Sequence, residues 1–162
     1  MLSLIAAAAE NNVIAYQGKL PWNIPDDSAY FEKKVLGKTV ICGRKTFSDA
    51  TWMAEKCHVI LVTRNTDLSI PNVIICNSVL EVLTKINPDE ENFVVGGGEI
   101  FAQTIDFADK VYLTRVHHNF DGDTVFPEIK SSQWKIMSEE KKLDSKSGLE
   151  YSYLVFEKNR ND

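Results

Sequence analysis

Short apolar runs, separated by stretches with helical spacing, set the tightest limit on what this chain can fold into. The runs are LSLIAAAA (2–9), TVICG (39–43), HVILVT (58–63), NVIIC (72–76), NFVVG (92–96) and KVYLTRV (110–116). Brief, continuous runs of this kind predict strands buried on both faces of a sheet. Helical patterns fall between them at 24–35, 44–50, 78–86 and 98–106. The alternation predicts an α/β fold in three layers around a mostly parallel sheet. The chain ends differently. WKIMSEEKKL (134–143) and LEYSYLVFEK (149–158) alternate in polarity and flank the turn-rich DSKSG, which predicts an antiparallel hairpin closing one edge. The tail NRND is expected to fray.

A length of 162 residues suits one domain, 1–162, with a single well-filled core. No repeat or linker divides it. The net charge of -5 argues against a nucleic-acid partner, whose phosphates demand basic surfaces. Cys42, Cys57 and Cys76 are widely spaced, with no C-x-x-C, and read as reduced thiols of a cytoplasmic protein. The opening MLSLIAAAAENN carries no basic residue before Lys19 and is too short to span a bilayer, so it reads as a buried strand. His117 and His118 are strand neighbours whose side chains diverge, and DGDT lacks the remaining acids of a calcium loop, so no metal is expected. A monomer acting on a small molecule is the expectation.

Two adjacent aspartates in LPWNIPDDSAYF (20–31) raise a chemical question. Asn23 can cap a helix, and Pro25 suits its first turn. At about 100° per residue, Ile24, Ser28, Phe31 and Val35 share one face. Asp27 lies on the flank of that face and Asp26 points toward solvent. Acids in a first helical turn often do no more than favour the dipole and the unpaired amides. Alternatively, Asp27 is a carboxylate in a largely apolar cleft, with a raised pKa, able to hold a cationic or amidine-like ring.

NFVVGGGEIF (92–101) runs strand, three glycines, helix. Gly96, Gly97 and Gly98 let a phosphate approach bare backbone, or merely permit tight strand–helix packing. The usual dinucleotide fingerprint is incomplete, because Phe101 replaces its third glycine. TVICGRKTF (39–47) repeats the arrangement, with Gly43 followed by Arg44, Lys45 and Thr46, and HVILVTR ends at Thr63 and Arg64. These basic residues follow strand C-terminal ends, where α/β sheets bind ligands. No acid follows at once to meet a ribose diol, so Arg44, Lys45 and Arg64 suit an extra phosphate and NADPH in preference to NADH.

Taken together, SLIAA (3–7), NNVIAYQGKLPWNIPDD (11–27), ICGRKTF (41–47), VTR (62–64), VVGGGEIF (94–101), YLTRV (112–116) and GDTVFP (122–127) resemble the dihydrofolate reductases of the chromosomal bacterial type. The resemblance implies an eight-stranded, mostly parallel sheet with four helices. It implies an NADPH-dependent reduction of 7,8-dihydrofolate to tetrahydrofolate, a step of one-carbon metabolism. It matches Asp27 to the carboxylate that pairs with the pterin 2-amino group and adjacent ring nitrogen. Thr114 matches the hydroxyl supporting that carboxylate, although a threonine on a strand is otherwise unremarkable in kind. Trp22 resembles the residue holding an ordered water, and Ile5, Ala6, Ala7 and Phe31 resemble pocket walls. Ala7, Ile14, Glu99, Ile100 and Phe101 join the glycine turns on the cofactor side. Residues 10–20 resemble a mobile loop over the nicotinamide, and GDT (122–124), with Asp123, the loop that steadies it.

Three departures from the family stand out. In SDATWMAEKCHVIL (48–61), Lys56 occupies the place of an arginine that grips the tail carboxylate of folate, and lysine cannot reproduce its bidentate fork. Glu55 precedes it, and Glu32 and Asp49 add negative charge. Either Lys56 substitutes at lower affinity, or the substrate is another dihydropterin or pyrimidine without the tail. Phe101 stands where a tyrosine is common, and Ala15 replaces a usual glycine. A bare nucleotide binder of the same fold is the third reading, and the joint presence of Asp27, Trp22 and Thr114 weighs against it.

Overall fold

The computed structural model describes residues 1–160. In chain order the strands are β1 (Leu2–Ala9), β2 (Val13–Ala15), β3 (Thr39–Gly43), β4 (His58–Val62), β5 (Val73–Cys76), β6 (Asn92–Gly96), β7 (Lys110–Val116), β8 (Thr124–Val125), β9 (Trp134–Leu143) and β10 (Glu150–Lys158). The helices are α1 (Pro25–Val35), α2 (Arg44–Asp49), α3 (Met53–Lys56), α4 (Val79–Lys85) and α5 (Gly98–Thr104). No helix among the described residues is long and apolar enough to cross a membrane.

Eight strands form one sheet in the order β5-β4-β3-β6-β1-β7-β10-β9. The six strands from β5 to β7 run parallel, and β10 joins β7 antiparallel with β9 outside it. The expected parallel sheet and C-terminal hairpin are therefore both present. β2 and β8 form a separate antiparallel pair, Val13 opposite Val125, that the sequence did not announce.

The continuous apolar runs have a simple cause. Along β3, Val40 and Cys42 enter one core layer and Ile41 the other, and β4 divides Val59 and Leu61 from Ile60 in the same way. Phe93 and Val95 against Val94 repeat the alternation on β6. Both faces are covered, so every position in the middle of these strands must be apolar. One layer is closed by Val35 of α1, Phe47 of α2 and Met53 of α3, the other by Val82 of α4 and by Ile100 and Phe101 of α5. A third, smaller group, Ala9, Val13, Trp22, Ile24, Val116 and Tyr151, seals the end of the sheet beneath the 10–24 segment.

Several boundaries differ from the sequence reading for local reasons. Ile24, not Asn23, occupies the N-cap position of α1, and no side chain caps it. Pro25 does take the first turn, as expected. The helix expected over 98–106 stops at Thr104 and tightens into a 3-10 turn over Ile105–Phe107. There the Thr104 hydroxyl donates to the Ile100 carbonyl at 2.7 Å, a back-bond that competes with helix continuation. The unusual 48–61 stretch supplies α3, a one-turn helix beyond the four expected. β9 does not alternate: Trp134 is buried and the rest of the strand is exposed, because only its first residue reaches the core. Within the tail, Asn159 is tied down, its amide donating to the Gln133 carbonyl at 2.8 Å, whereas Asn161 and Asp162 lie outside the described residues.

Candidate active site

The carboxyl ends of the central strands open into a cleft of about 1310 Å³. Ala6 and Ala7 of β1, Gly43 of β3, Val95 and Gly96 of β6 and Thr114 of β7 form its floor. α1 contributes Asp27 and Phe31 on one side, and α2 contributes Arg44, Lys45 and Thr46. Ile5, Ile14, Gly97, Gly98, Glu99, Ile100 and Phe101 complete the predicted set that reaches this cleft. Residues distant in sequence thus converge because a parallel sheet delivers all its strand ends to one edge.

Asp27 sits where α1 crosses the ends of β1 and β7. Thr114, which pairs with Ala7 in the sheet, donates its hydroxyl to Asp27 Oδ1 at 2.6 Å. Thr114 is itself buried. Burial raises the Asp27 carboxyl above the usual carboxylate range, and the Thr114 hydrogen bond acts against that rise. Asp26 is exposed, so the two aspartates do have the different environments that the helical wheel implied. This arrangement can bind a flat ring that offers two adjacent N–H donors, and it can bias that ring toward its protonated form.

The glycine arch forms the opposite side. Gly96 has φ +127°, a conformation that L side chains rarely adopt. A Cβ added at Gly98 would lie 2.5 Å from Thr124 Cγ2, so this backbone approaches β8 too closely for any side chain. The peptide between Gly96 and Gly97 is cis. With exposed Arg44 and Lys45 beside it, the arch leaves bare backbone and basic groups facing one space, which fits a phosphate-bearing ligand.

Four predicted site residues do not line the cleft. Trp22 is buried against Phe120, ring centroids 5.2 Å apart, and its Nε1 has no hydrogen-bond partner among the described residues. Thr63 turns its hydroxyl to the Asn65 amide at 3.2 Å. Arg64 is 94% exposed and lies 3.7 Å from Glu99 Oε1. Lys56 pairs with Glu32, Nζ to Oε1 at 3.0 Å, and of the two only Glu32 lines the cleft.

Other lining residues carried no clear signal. Tyr30 lies three residues after Asp27 and stacks on Tyr153 at 4.1 Å. Trp52 meets Phe31 edge-on at 6.2 Å and, with Met53, forms the outer apolar wall. Lys19 enters from the 10–20 loop. That loop is held down where the Gln17 amide donates to Asp123 Oδ2 at 2.9 Å and the Asp123 amide donates to the Ala15 carbonyl at 3.0 Å.

The cysteines are poorly placed as nucleophiles. Cys42, Cys57 and Cys76 are unpaired and buried, and burial pushes the Cys42 thiol up to about 12. His117 and His118 diverge: His117 meets Glu10 and Ser152, whereas His118 packs against Phe120.

Comparison with known proteins places this geometry among relatives. The family model described as dihydrofolate reductase matches residues 1–158. The dihydrofolate reductase of Bacillus subtilis is 36% identical over 159 residues, covering 98% of this chain and 95% of that protein. That of Haemophilus influenzae is 35% identical over 154 residues, covering 94% and 96%. Among solved structures, the Enterococcus faecalis dihydrofolate reductase complexed with NADP(H) and RAB-propyl superimposes with a TM-score of 0.89 at 31% identity, covering 99% of this chain and 97% of the other.

Proposed function

This chain belongs to the dihydrofolate reductase family and reduces 7,8-dihydrofolate to 5,6,7,8-tetrahydrofolate with NADPH; from that premise we propose which of its residues carry the reaction. Asp27 receives the pterin, accepting hydrogen bonds from the 2-amino group and the neighbouring ring nitrogen. Thr114 fixes the orientation of the carboxylate. The observation that carries this assignment is the 2.6 Å Thr114–Asp27 hydrogen bond inside the cleft.

When bound, NADPH supplies the hydride that reaches C6 of the pterin. The chain supplies position, charge and dryness. Ile5, Ala6, Ala7 and Phe31 form apolar walls around the ring, so the charge on Asp27 acts at low dielectric and raises the basicity of N5. The proton reaches N5 from water. Trp22, with a buried Nε1 that has no partner among the described residues, is suited to hold such a water.

The residues present fit the cofactor. Gly96, Gly97 and Gly98 offer backbone for the pyrophosphate, and Gly43, Thr46, Glu99, Ile100 and Phe101 shape the groove. Arg44 and Lys45 are placed for the extra phosphate that distinguishes NADPH. Ala7 and Ile14 border the nicotinamide. Thr63 and Arg64 extend the site outward, and Lys56 is assigned to the far end of the substrate. The same reading takes residues 1–162 as one domain acting as a cytoplasmic monomer, which sedimentation and cell fractionation test.

The decisive measurement is NADPH oxidation with 7,8-dihydrofolate by the wild type and by Asp27→Asn. The variant keeps the shape and loses the charge. Its kcat/KM at neutral pH is expected to drop by roughly 10²-fold, within the usual range for acid–base groups. Near-normal turnover by Asp27→Asn at neutral pH and above would sink the assignment.

A further inference from the structure

The charges around the cleft are unevenly divided. Arg44 and Lys45 lie on the glycine side together with Glu99, and the loop residues Lys19 and Asp123 add one charge of each sign. The charged lining of α1 and the 49–53 segment, by contrast, is Asp27, Glu32 and Asp49, all acids. Dihydrofolate brings two tail carboxylates to that acidic side. Lys56, a cation at that side, is already paired with Glu32, with the two side chains 50% and 46% exposed.

On the assignment of Asp27 to the pterin, we infer that Glu32 sets tail specificity by competing with the substrate tail for Lys56. Glu32 stands one helical turn beyond Ser28, and both line the cleft on the α1 side that carries Asp27. Lys56 ends α3 and its Nζ reaches Glu32 Oε1 on α1 at 3.0 Å, and the neighbouring Phe31 and Trp52 rings meet edge-on. A tail carboxylate therefore competes with Glu32 for the same ammonium, and it meets the negative charge of Glu32 as it does so. The pair is half exposed and hence weak, so the competition is real but shallow. Lysine also binds a carboxylate as a point charge without a fixed fork, so no geometric preference favours the substrate over Glu32. The consequence is an enzyme that distinguishes poorly between dihydrofolate and a dihydropterin lacking the charged tail. Glu32 is a specificity residue that acts through Lys56.

The test compares 7,8-dihydrofolate with 6-methyl-7,8-dihydropterin in steady-state assays of wild type, Glu32→Gln, Lys56→Ala and the double variant. In Glu32→Gln the ratio of kcat/KM for dihydrofolate to that for the tail-less pterin should rise by roughly 3- to 10-fold, the span of a weak exposed pair. The change should fall in KM for dihydrofolate. In Lys56→Ala the ratio should drop, and in the double variant the gain from Glu32→Gln should vanish. An unchanged ratio in Glu32→Gln overturns the inference, and so does a gain that persists without Lys56. Near-normal turnover of both pterins by Asp27→Asn, assayed alongside, overturns the Asp27 assignment beneath it and is read separately from the ratio.

Discussion

The Thr114 hydroxyl donates to Asp27 Oδ1 at 2.6 Å, joining the middle of the sheet to the first turn of α1. Thr114 is fixed by pairing with Ala7 on one side and Tyr153 on the other, so the hydroxyl cannot follow a carboxylate that moves. The bond therefore does two things. It orients Asp27 toward the cleft, and it stabilises the charged form against burial. Thr114→Val keeps the shape and deletes the donor. A hydrogen bond to a charged group is worth about 1.5–3 kcal/mol, so kcat/KM should drop by roughly tenfold or more. The ionisation of Asp27 in the kcat/KM profile should move to higher pH, because a group favouring the charged form is gone. Thr114→Ser should restore most of both. A Thr114→Val enzyme with an unshifted profile would show that the hydroxyl supports the fold alone.

Asp27 also ought to cost the protein stability. Its carboxyl is raised in the folded state by desolvation, with Thr114 only partly offsetting this. Between the unfolded and folded pKa values, the folded chain holds a proton that the unfolded chain has released. Stability therefore falls as pH rises through that window, and above it the cost is present in full. Asp27→Asn removes the cost, so urea unfolding at pH 7 should show a gain on the order of 1 kcal/mol, as is common where activity requires an unfavourable group. The gain should disappear as pH falls below about 3.9, where the unfolded carboxyl is also protonated. Equal stability of the two proteins at pH 7 would mean that Asp27 is better solvated than its surroundings indicate.

The core was legible in the sequence because burial on both faces leaves an unbroken apolar run, and β1, β3, β6 and β7 were bounded correctly on that basis. The β2–β8 pair was not, because three residues against two carry no periodicity. The glycine arch was legible from its place at a strand end, which a parallel sheet sends to one edge. Position alone left Asp27 open and Thr114, inside β7, ordinary, and both stood out only through the family resemblance. The Lys56–Glu32 pair was not legible. Lys56 was recognisable as a departure, but its partner lies 24 residues away on another helix, and no local pattern announces such a contact. Thr63 and Arg64 show the converse limit. They follow a strand in the same way as Gly43 and Arg44, yet neither lines the cleft.

That difference between the two basic positions has a measurable consequence for cofactor choice. Arg44 lines the cleft, whereas Arg64 is 94% exposed and close to Glu99. Removing a charge-assisted hydrogen bond to phosphate costs about 1.5–3 kcal/mol, so Arg44→Ala should raise KM for NADPH by roughly tenfold or more. NADH lacks the extra phosphate, and its KM should change far less. Arg64→Ala should have the smaller effect on NADPH, since a highly exposed charge near an acid contributes little. If Arg44→Ala weakened both cofactors alike, its role would be structural and the extra phosphate would have to be read elsewhere.

Two loops that line the cleft are tied to each other. The Gln17 amide donates to Asp123 Oδ2 at 2.9 Å, and the Thr124 hydroxyl donates to Asp123 Oδ1 at 3.0 Å. Gly122 lets the strands meet: a Cβ there would lie 2.1 Å from Val13 Cγ1 and 2.7 Å from the Ala15 carbonyl oxygen. The Gln17 amide, followed by Thr124, holds the Asp123 carboxyl below its ordinary value, so this latch stays charged until the solution is strongly acidic. Asp123→Ala removes the acceptor and frees the Gln17 part of the 10–20 loop from this side-chain tie, while Asn11 and Asn12 keep theirs. A loop that spends less time closed lowers the fraction of productive complexes, so kcat should drop by roughly three- to tenfold, with KM for dihydrofolate changing less. Asp123→Asn keeps a neutral acceptor for Gln17 and should recover part of the loss. Because burial raises the Asp27 carboxyl whereas the Asp123 carboxyl is held below its ordinary value, the Asp123→Ala enzyme should keep the wild-type pH profile at a lower plateau. A shifted profile would instead place Asp123 in electrical contact with the reaction.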